Sequence, residues 1–198
     1  MKWYKKSIKD LSDAEYDEFF FLMSSEKQGR VLKLKKTEDR KLAVCAEMLA
    51  RLAISRYGGI AYEKIIFGVS EKGKPYAENA DVFFNVSHSG EYAVCAADSA
   101  PVGIDIQKIV PFDEAVARRV CSEKELAEIE KSEDKGAEFT KIWTRKEAVL
   151  KMYGSGIFGR DIKNCIAGEN VRSQKYGDYW ISICAQNDFD IKKDGGII

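Results

Sequence analysis

The residues that could do chemistry begin around the only histidine of the chain, His88. A strand is predicted over residues 102–107, where apolar and polar side chains alternate and therefore point to opposite faces of a sheet. Asp105 and Gln107 lie on the polar face, next to Gly103, which leaves room there for a close approach to the sheet. This strand therefore offers a carboxylate and an amide oxygen, which are both suitable ligands for a hard cation.

A helix predicted over residues 139–153 supplies a second carboxylate and an amine. Trp143, Glu147 and Lys151 stand four residues apart, so they form one row along the helix. If that row faces Asp105, two carboxylates, an amide, a lysine and a histidine surround one point. Such a group is a workable site for a divalent cation that holds a phosphate-rich ligand. Each residue alone has an ordinary structural explanation, such as a solvated Glu–Lys pair, so the prediction rests on their combination.

The order and spacing of these motifs resemble a known family. The runs NVSHSG, GIDIQ and W-x-x-K-E-A-x-x-K are similar to the signature motifs of the Sfp-type 4′-phosphopantetheinyl transferases. A Gly-Lys-Pro turn at 73–75 and a basic segment at 24–30 extend the resemblance, which covers roughly residues 1–156. Three motifs in register are far more specific than a single glycine loop.

The resemblance implies an enzyme that transfers the 4′-phosphopantetheine arm of coenzyme A to a serine of an apo carrier protein. It implies a magnesium-dependent reaction that releases 3′,5′-ADP. Asp105 and Glu147 match the family's magnesium ligands, and Gln107 occupies the place of a third acid. Glu147 would also act as the general base, and Lys151 would meet the pyrophosphate and help the ADP depart.

The resemblance also implies which residues bind coenzyme A. These residues are Ser87, His88 and Lys151 for the phosphates, Lys74 and Pro75 for the adenine, and Lys27 and Arg30 for the 3′-phosphate. Arginine suits a phosphate because its guanidinium can donate two parallel hydrogen bonds. For the basic stretch 27–41, an ordinary solvated helix face remains the alternative.

The sequence departs from the family's pattern at two positions. Gln107 stands where surfactin-type members carry an acid, and a neutral amide holds magnesium through its carbonyl with less charge. Leu42 stands where relatives often have an arginine, for which Arg40 or Lys41 could substitute.

Other functions are open from the residues alone. A metal-dependent nucleotide phosphohydrolase would use the same acids, lysine and histidine, but would attack with water. An inactive protein that binds coenzyme A or a carrier protein is a further alternative, to which the neutral Gln107 points. A nucleophilic hydrolase is disfavoured, because no G-x-S-x-G motif is present and Ser87 has no evident acid partner in the sequence.

Composition narrows the choice of partner and compartment. The 198 residues contain 32 Lys plus Arg and 32 Asp plus Glu, so no net field attracts nucleic acid or anionic membrane. No apolar stretch is long enough to span a bilayer, and the N-terminus lacks the apolar core of a signal peptide. Without a C-x-x-C pair, Cys45, Cys95 and Cys184 are predicted to be small core residues. We therefore expect a reduced, cytoplasmic monomer that binds neither nucleic acid nor membrane.

The predicted elements form an α+β protein of two similar lobes, residues 1–101 and 102–198. Each lobe has helices followed by antiparallel strands. The resemblance implies a pseudo-twofold axis between the lobes and a site in the cleft that separates them. No flexible linker is visible in the sequence, so we expect the two lobes to form one rigid unit.

Local signals predict where most elements begin and end. Capping boxes at Ser12 and Ser122 begin two helices, Thr37 is expected to cap a third, and Gly58 with Gly59 to end it. Strands 82–86, 92–97 and 102–107 are expected to form a meander whose first turn is Ser-His-Ser-Gly. The other predicted elements are an edge strand at 2–8, helices at 25–34 and 113–120, and strands at 65–69, 162–167, 174–175, 179–185 and 189–192.

Overall fold

A group of three α-helices followed by a group of strands occurs twice along the described part of the chain. The computed structural model describes residues 1–154, 156 and 161–197. The helices are α1 (Asp13–Phe21), α2 (Ser25–Leu32), α3 (Thr37–Gly58), α4 (Glu114–Val120), α5 (Glu123–Lys131) and α6 (Lys135–Tyr153). The strands are β1 (Lys2–Ser7), β2 (Phe67–Val69), β3 (Pro75–Ala77), β4 (Phe83–Ser89), β5 (Tyr92–Asp98), β6 (Val102–Lys108), β7 (Val171–Tyr176), β8 (Tyr179–Ala185) and β9 (Gly195–Ile197). The predicted α+β class is confirmed.

The strands form two larger sheets and one hairpin. The first sheet has the order β4-β5-β1-β9, the second has the order β6-β8-β7, and β2 pairs with β3. The β1–β9 pair is parallel and the other pairs are antiparallel. The prediction that β1 is an edge strand is wrong, because β5 and β9 pair with its two sides. The predicted meander is also wrong, because β6 pairs with β8 and leaves β5.

The two sheets pack face to face, with one long helix on each outer side. On one face of the first sheet, Phe84 and Cys95 pack in a cluster with residues of α3. On its other face, Val94 packs in a cluster with Ile104 and Ile181 of the second sheet. The outer face of the second sheet is covered by α6. Burial of these apolar surfaces supplies the main driving force for folding and fixes α6 against β6.

The helix termini follow the sequence signals at most positions. Ser12 and Ser122 each form a complete capping box at the start of α1 and α5, as predicted. Gly59, with φ of 71°, ends α3 in the left-handed conformation that favours glycine. The predicted cap at Thr37 is wrong, because Thr37 is already helical and Lys36 precedes it without a side-chain cap.

The strand that carries the histidine is longer than predicted. The ladder between β4 and β5 continues until Ser89 pairs with Tyr92. Only Gly90 and Glu91 remain for the turn, and Gly90 has φ of 57°, as tight hairpin turns require. His88 therefore lies on a strand and not in a turn.

The C-terminal part of the chain differs most from the predicted elements. Residues 162–167 form successive turns in place of a strand, with hydrogen bonds such as that from the Asn164 amide to the Asp161 carbonyl. Residues 189–192 form no strand either, because Asp190 and Asp194 close a turn there. The strands β7 and β8 confirm the predictions at 174–175 and 179–185.

The division of the chain into two lobes, with a boundary between residues 101 and 102, remains a prediction. That boundary falls in the short connection between β5 and β6. The strand β9, from the far end of the described chain, pairs with β1 and so extends the first sheet.

Gly103 allows the close approach that the sequence predicted, and the approaching group is α6. A Cβ atom at Gly103 would overlap the backbone of Ala148 and Met152. Because these atoms belong to helix backbone, they cannot move aside as a flexible side chain could. The absence of a side chain at Gly103 therefore sets how near α6 lies to Asp105.

We expect Gly103→Ala to lower the free energy of unfolding by about 3 kcal/mol or more, because the added methyl group must push α6 from the sheet. Urea unfolding followed by circular dichroism measures this change. The control is Gly29→Ala in α2, where nothing lies within 4 Å of the added methyl group and alanine is the better helix former. Equal unfolding midpoints for the two variants would contradict the expectation.

Candidate active site

A cleft of about 290 Å³ opens between β4, β6 and α6. Both segments that the sequence singled out contribute to it, so the helix row does face the strand. The lining residues are Val86, Ser87, His88, Asp105, Ile106, Gln107, Trp143, Glu147 and Lys151.

Asp105 and Lys151 make the central contact of the cleft. The Lys151 ammonium lies 2.6 Å from Asp105 Oδ1 and donates to Ser87 Oγ at 2.8 Å. Ser87 Oγ in turn donates to the same Asp105 oxygen at 2.7 Å. The serine therefore does have an acid partner, which the sequence did not indicate. Asp105 is buried, with 5% of its surface exposed, so its charge depends on Lys151, Ser87 and the backbone of Ile106.

The pKa values of both carboxyl groups are raised above their ordinary range. Burial is the leading cause for Asp105, and Lys151 with Ser87 opposes it. Burial also leads for Glu147, and the charge of Asp105 adds to it. The two acids are thus close enough to repel each other, as paired carboxylates at functional sites commonly do.

His88 and Gln107 lie at the open side of the cleft. His88 is exposed, and partial desolvation together with the nearby Lys151 charge lowers its pKa below the ordinary value. Gln107 is half-buried, and its amide nitrogen donates to the Lys108 carbonyl at 3.3 Å. With that nitrogen engaged, the amide oxygen is the atom of Gln107 available to a cation.

A second cavity of about 220 Å³ continues the cleft toward the β2–β3 hairpin. It shares Glu147 and Lys151 with the first and adds Lys74 and Pro75. The Lys74 ammonium donates to the carbonyls of Lys151 and Met152 at 2.8 and 2.9 Å. Burial lowers the pKa of Lys74. The hairpin therefore holds the C-terminal end of α6, a favourable place for a cation because the helix dipole is negative there.

Lys27 and Arg30 do not line either of these cavities. The Lys27 ammonium lies 2.6 Å from Glu47, which is buried in the N-terminal core and also pairs with Arg51. Arg30 is exposed and lies 3.9 Å from Glu26.

Leu42, which stands where relatives often have an arginine, and Arg40, one of the two residues expected to substitute for it, have structural roles. Leu42 is buried in the N-terminal core. Arg40 donates to the carbonyls of Leu34 and Leu32 after α2. Neither residue lines the cleft.

Sequence reasoning missed three residues that support the site. Lys146 is fully buried, and its ammonium binds Glu125 at 2.8 Å and two carbonyls of the turn segment 161–164. Asn85 and Ser89 accept hydrogen bonds from backbone amides of β6. The alternation of polar residues in NVSHSG was visible in the sequence, whereas nothing local revealed the partners of Lys146.

The oxygen ligands of the cleft fit a magnesium ion. Among the described residues, no three His, Cys, Asp or Glu side chains converge as a complete metal site. Magnesium, however, is commonly held by one or two carboxylates while waters and substrate phosphates complete its shell. Asp105, Glu147 and Gln107 offer such oxygens, and a cation bound by both acids would remove the repulsion between them.

Comparisons with known proteins agree with the motifs of the cleft. A family profile for the N-terminal part of 4′-phosphopantetheinyl transferases matches residues 10–100, and the profile of the 4′-phosphopantetheinyl transferase superfamily matches residues 101–185. The chain is 34% identical to the 4′-phosphopantetheinyl transferase Sfp of Bacillus subtilis (strain 168), over 74% of this chain and 67% of that protein. It is 37% identical to the 4′-phosphopantetheinyl transferase psf-1 of Bacillus pumilus, over 68% and 59%.

None of the described helices combines the length and hydropathy needed to cross a membrane.

The matched profiles together run from Asp10 to Ala185 and include every residue that lines the cleft. The chain therefore belongs to the 4′-phosphopantetheinyl transferase superfamily.

Proposed function

We propose that this transferase moves the arm of coenzyme A onto a serine of an apo carrier protein in a magnesium-dependent reaction that releases 3′,5′-ADP. The observation that carries the proposal is the 2.6 Å contact of Lys151 with Asp105, in a cleft that also contains Glu147. An acid pair for the cation and an ammonium for the pyrophosphate thereby share one cleft, as transfer from a diphosphate requires.

Glu147 is the proposed base for the carrier serine. A carboxylate with a raised pKa is a stronger base than an exposed one. The hydroxyl gives its proton to Glu147, and the serine oxygen attacks the β-phosphorus of coenzyme A. The bond from that phosphorus to the bridging oxygen breaks, and 3′,5′-ADP leaves with the bonding electrons. Magnesium held by Asp105, Gln107 and Glu147 would supply positive charge to the pyrophosphate.

Lys151 is proposed to stabilise the charge that develops on the departing ADP. Its ammonium is already fixed by Ser87 and Asp105, so little reorganisation is needed when the bond breaks. The hydrogen bonds from Lys74 to the end of α6 hold the backbone of Lys151 in place.

Coenzyme A is proposed to lie along the two connected cavities. Ser87 and His88 would contact its phosphates at one end, and Lys74 with Pro75 would lie against the adenine. Lys27 and Arg30 are the residues proposed to bind the 3′-phosphate, and they differ in how far other groups already engage their charges. Lys27 already balances the buried Glu47, whereas Arg30 is exposed and lies 3.9 Å from Glu26.

The proposed partner is an apo acyl or peptidyl carrier protein, and the proposed form is a cytoplasmic monomer. Relatives that bear the transferase name support the carrier protein as substrate. The equal numbers of acidic and basic residues support the absence of nucleic-acid and membrane partners.

Incubation of the chain with coenzyme A, magnesium and an apo carrier protein tests the proposal. Mass spectrometry should show the carrier gain one phosphopantetheine, and a chelator should abolish the gain. Released inorganic phosphate with an unmodified carrier would instead indicate a hydrolase, and tight coenzyme A binding without either product would indicate a binding protein.

We expect Asp105→Ala and Glu147→Ala each to lower transfer by at least about 100-fold, because each removes an oxygen ligand of the cation. The fold should survive, since Lys151 is partly exposed and water can solvate its ammonium once Asp105 is removed, and Glu147 is only half-buried. The measurement is carrier modification with urea unfolding in parallel. Glu138→Ala, on the same helix but outside the cleft, is the control. Near-native turnover in either cleft variant would refute the metal site.

Lys151→Ala should lower kcat by about 100-fold or more and leave carrier affinity within about threefold, because its charge is needed as the pyrophosphate bond breaks. Steady-state kinetics and calorimetric carrier binding separate the two effects. Lys135→Ala serves as the control, since Lys135 lies at the start of the same helix as Lys151, pairs with Glu130 of α5 and does not line the cleft. Equal losses in kcat and carrier affinity would make Lys151 a docking residue instead.

Gln107→Glu should tighten magnesium binding to the free enzyme several-fold, because it adds a negative charge beside Asp105 and Glu147. Coenzyme A brings its own negative charge to the metal, so the increase in magnesium affinity caused by Gln107→Glu should be smaller when coenzyme A is present. Calorimetric titration with and without coenzyme A measures both effects. Gln186→Glu adds the same charge at an exposed position outside the cleft. Identical affinities for wild type and Gln107→Glu would place Gln107 beyond reach of the metal.

A further inference from the structure

The strands β4 and β6 run beside the cleft without a backbone ladder between them. β4 pairs only with β5, and β6 pairs only with β8, within the part of the chain that the structure describes. Side chains of β4 make the connection instead. Asn85 Oδ1 accepts from the Ile104 amide at 3.0 Å, and Ser89 Oγ accepts from the Lys108 amide at 3.0 Å.

The two bonds fix one register along the strands. Each joins residues 19 positions apart in sequence, so β4 and β6 run in the same direction at a constant offset. Between them, Ser87 donates to Asp105. Polar side chains at three alternate positions of β4, which share one face, therefore hold β6.

Bridging by side chains also explains why a cleft exists here. Direct backbone pairing would hold the strands about 4.8 Å apart, and a side chain between them adds its own length. The wider gap accommodates the Asp105 side chain and the Lys151 ammonium that contacts it. Because Ile104 is buried, its amide would lack a partner without Asn85, and an unpaired buried amide is costly.

We propose that Asn85 is a positioning residue for the transfer reaction and that Ser89 assists it. Ile104 immediately precedes Asp105, and Lys108 immediately follows Gln107, so the two bonds bracket the proposed metal ligands. Loss of the Asn85 bond frees the Ile104 peptide group, so β6 can shift locally at Asp105 and move its carboxylate away from Ser87 of β4. The inference rests on the proposed function of Asp105 as a metal ligand.

The test compares Asn85→Ala with Asn79→Ala. Asn79 also bridges backbone groups, from the Ile66 amide to the Lys64 carbonyl, but it lies outside the cleft. Asn85→Ala should lower kcat by about 10- to 100-fold, the size expected for a small displacement of a catalytic group. KM for the carrier should change less than about threefold. Binding of Mn²⁺ to the free enzyme, measured by electron paramagnetic resonance, should weaken, whereas Asn79→Ala should leave all three quantities unchanged.

Amide hydrogen exchange shows whether the bond itself was lost. In Asn85→Ala the Ile104 amide should exchange faster, while the Lys108 amide, held by Ser89, keeps its protection. If Asn85→Ala does not fold, the less buried Ser89→Ala carries the test, with faster exchange at Lys108 and a smaller loss of kcat. Faster exchange at the affected amide together with native kcat and native Mn²⁺ affinity would overturn the inference.

Asp105→Ala, measured in parallel, distinguishes this inference from the proposed function. If Asp105→Ala binds Mn²⁺ as the wild type does, the metal site itself is wrong. If Asp105→Ala loses Mn²⁺ and Asn85→Ala keeps both Mn²⁺ and kcat, only the positioning role is wrong. Loss in both variants supports the inference.

Discussion

The site depends on the close packing of α6 against β6 at Gly103. Only a residue without a side chain lets the backbone of Ala148 and Met152 come so near the strand. That approach brings Lys151 within 2.6 Å of Asp105. One helix turn earlier, Glu147 enters the same cleft. A rigid strand and a rigid helix, rather than flexible loops, therefore carry the proposed catalytic groups, which favours precise geometry.

The desolvated charges of Asp105 and Glu147 oppose folding, but they suit the cleft to bind a cation. Burial raises the pKa of Asp105, and burial together with the charge of Asp105 raises the pKa of Glu147. Both acids are thus less stable as anions than they would be in water. Lys151 offsets part of this cost for Asp105. A bound cation would offset more of the cost of keeping both acids ionised. The folded cleft should therefore attract a positive charge in addition to that of Lys151.

Local periodicity in the sequence predicts which residues share the site, but it does not predict how the strands pair. Alternation placed Asp105 and Gln107 on one face, and helical spacing placed Glu147 beside Lys151. The pairing of β6 with β8 joins residues far apart in sequence, for example Asp105 with Ser182, and no local pattern encodes such a choice. Ser and Gly around His88 favour a turn, but the ladder with β5 overrides that preference and keeps His88 in a strand.

The parallel pairing of β9 with β1 has a consequence for synthesis of the protein. Trp3 donates from its indole nitrogen to the Ile191 carbonyl, across 188 positions of sequence. The ribosome releases β1 long before β9, so the side of β1 that pairs with β9 stays without this partner until residues 195–197 have emerged. The first sheet is complete only after β9 has emerged, and until that moment β1 presents an open edge to which other nascent chains can add.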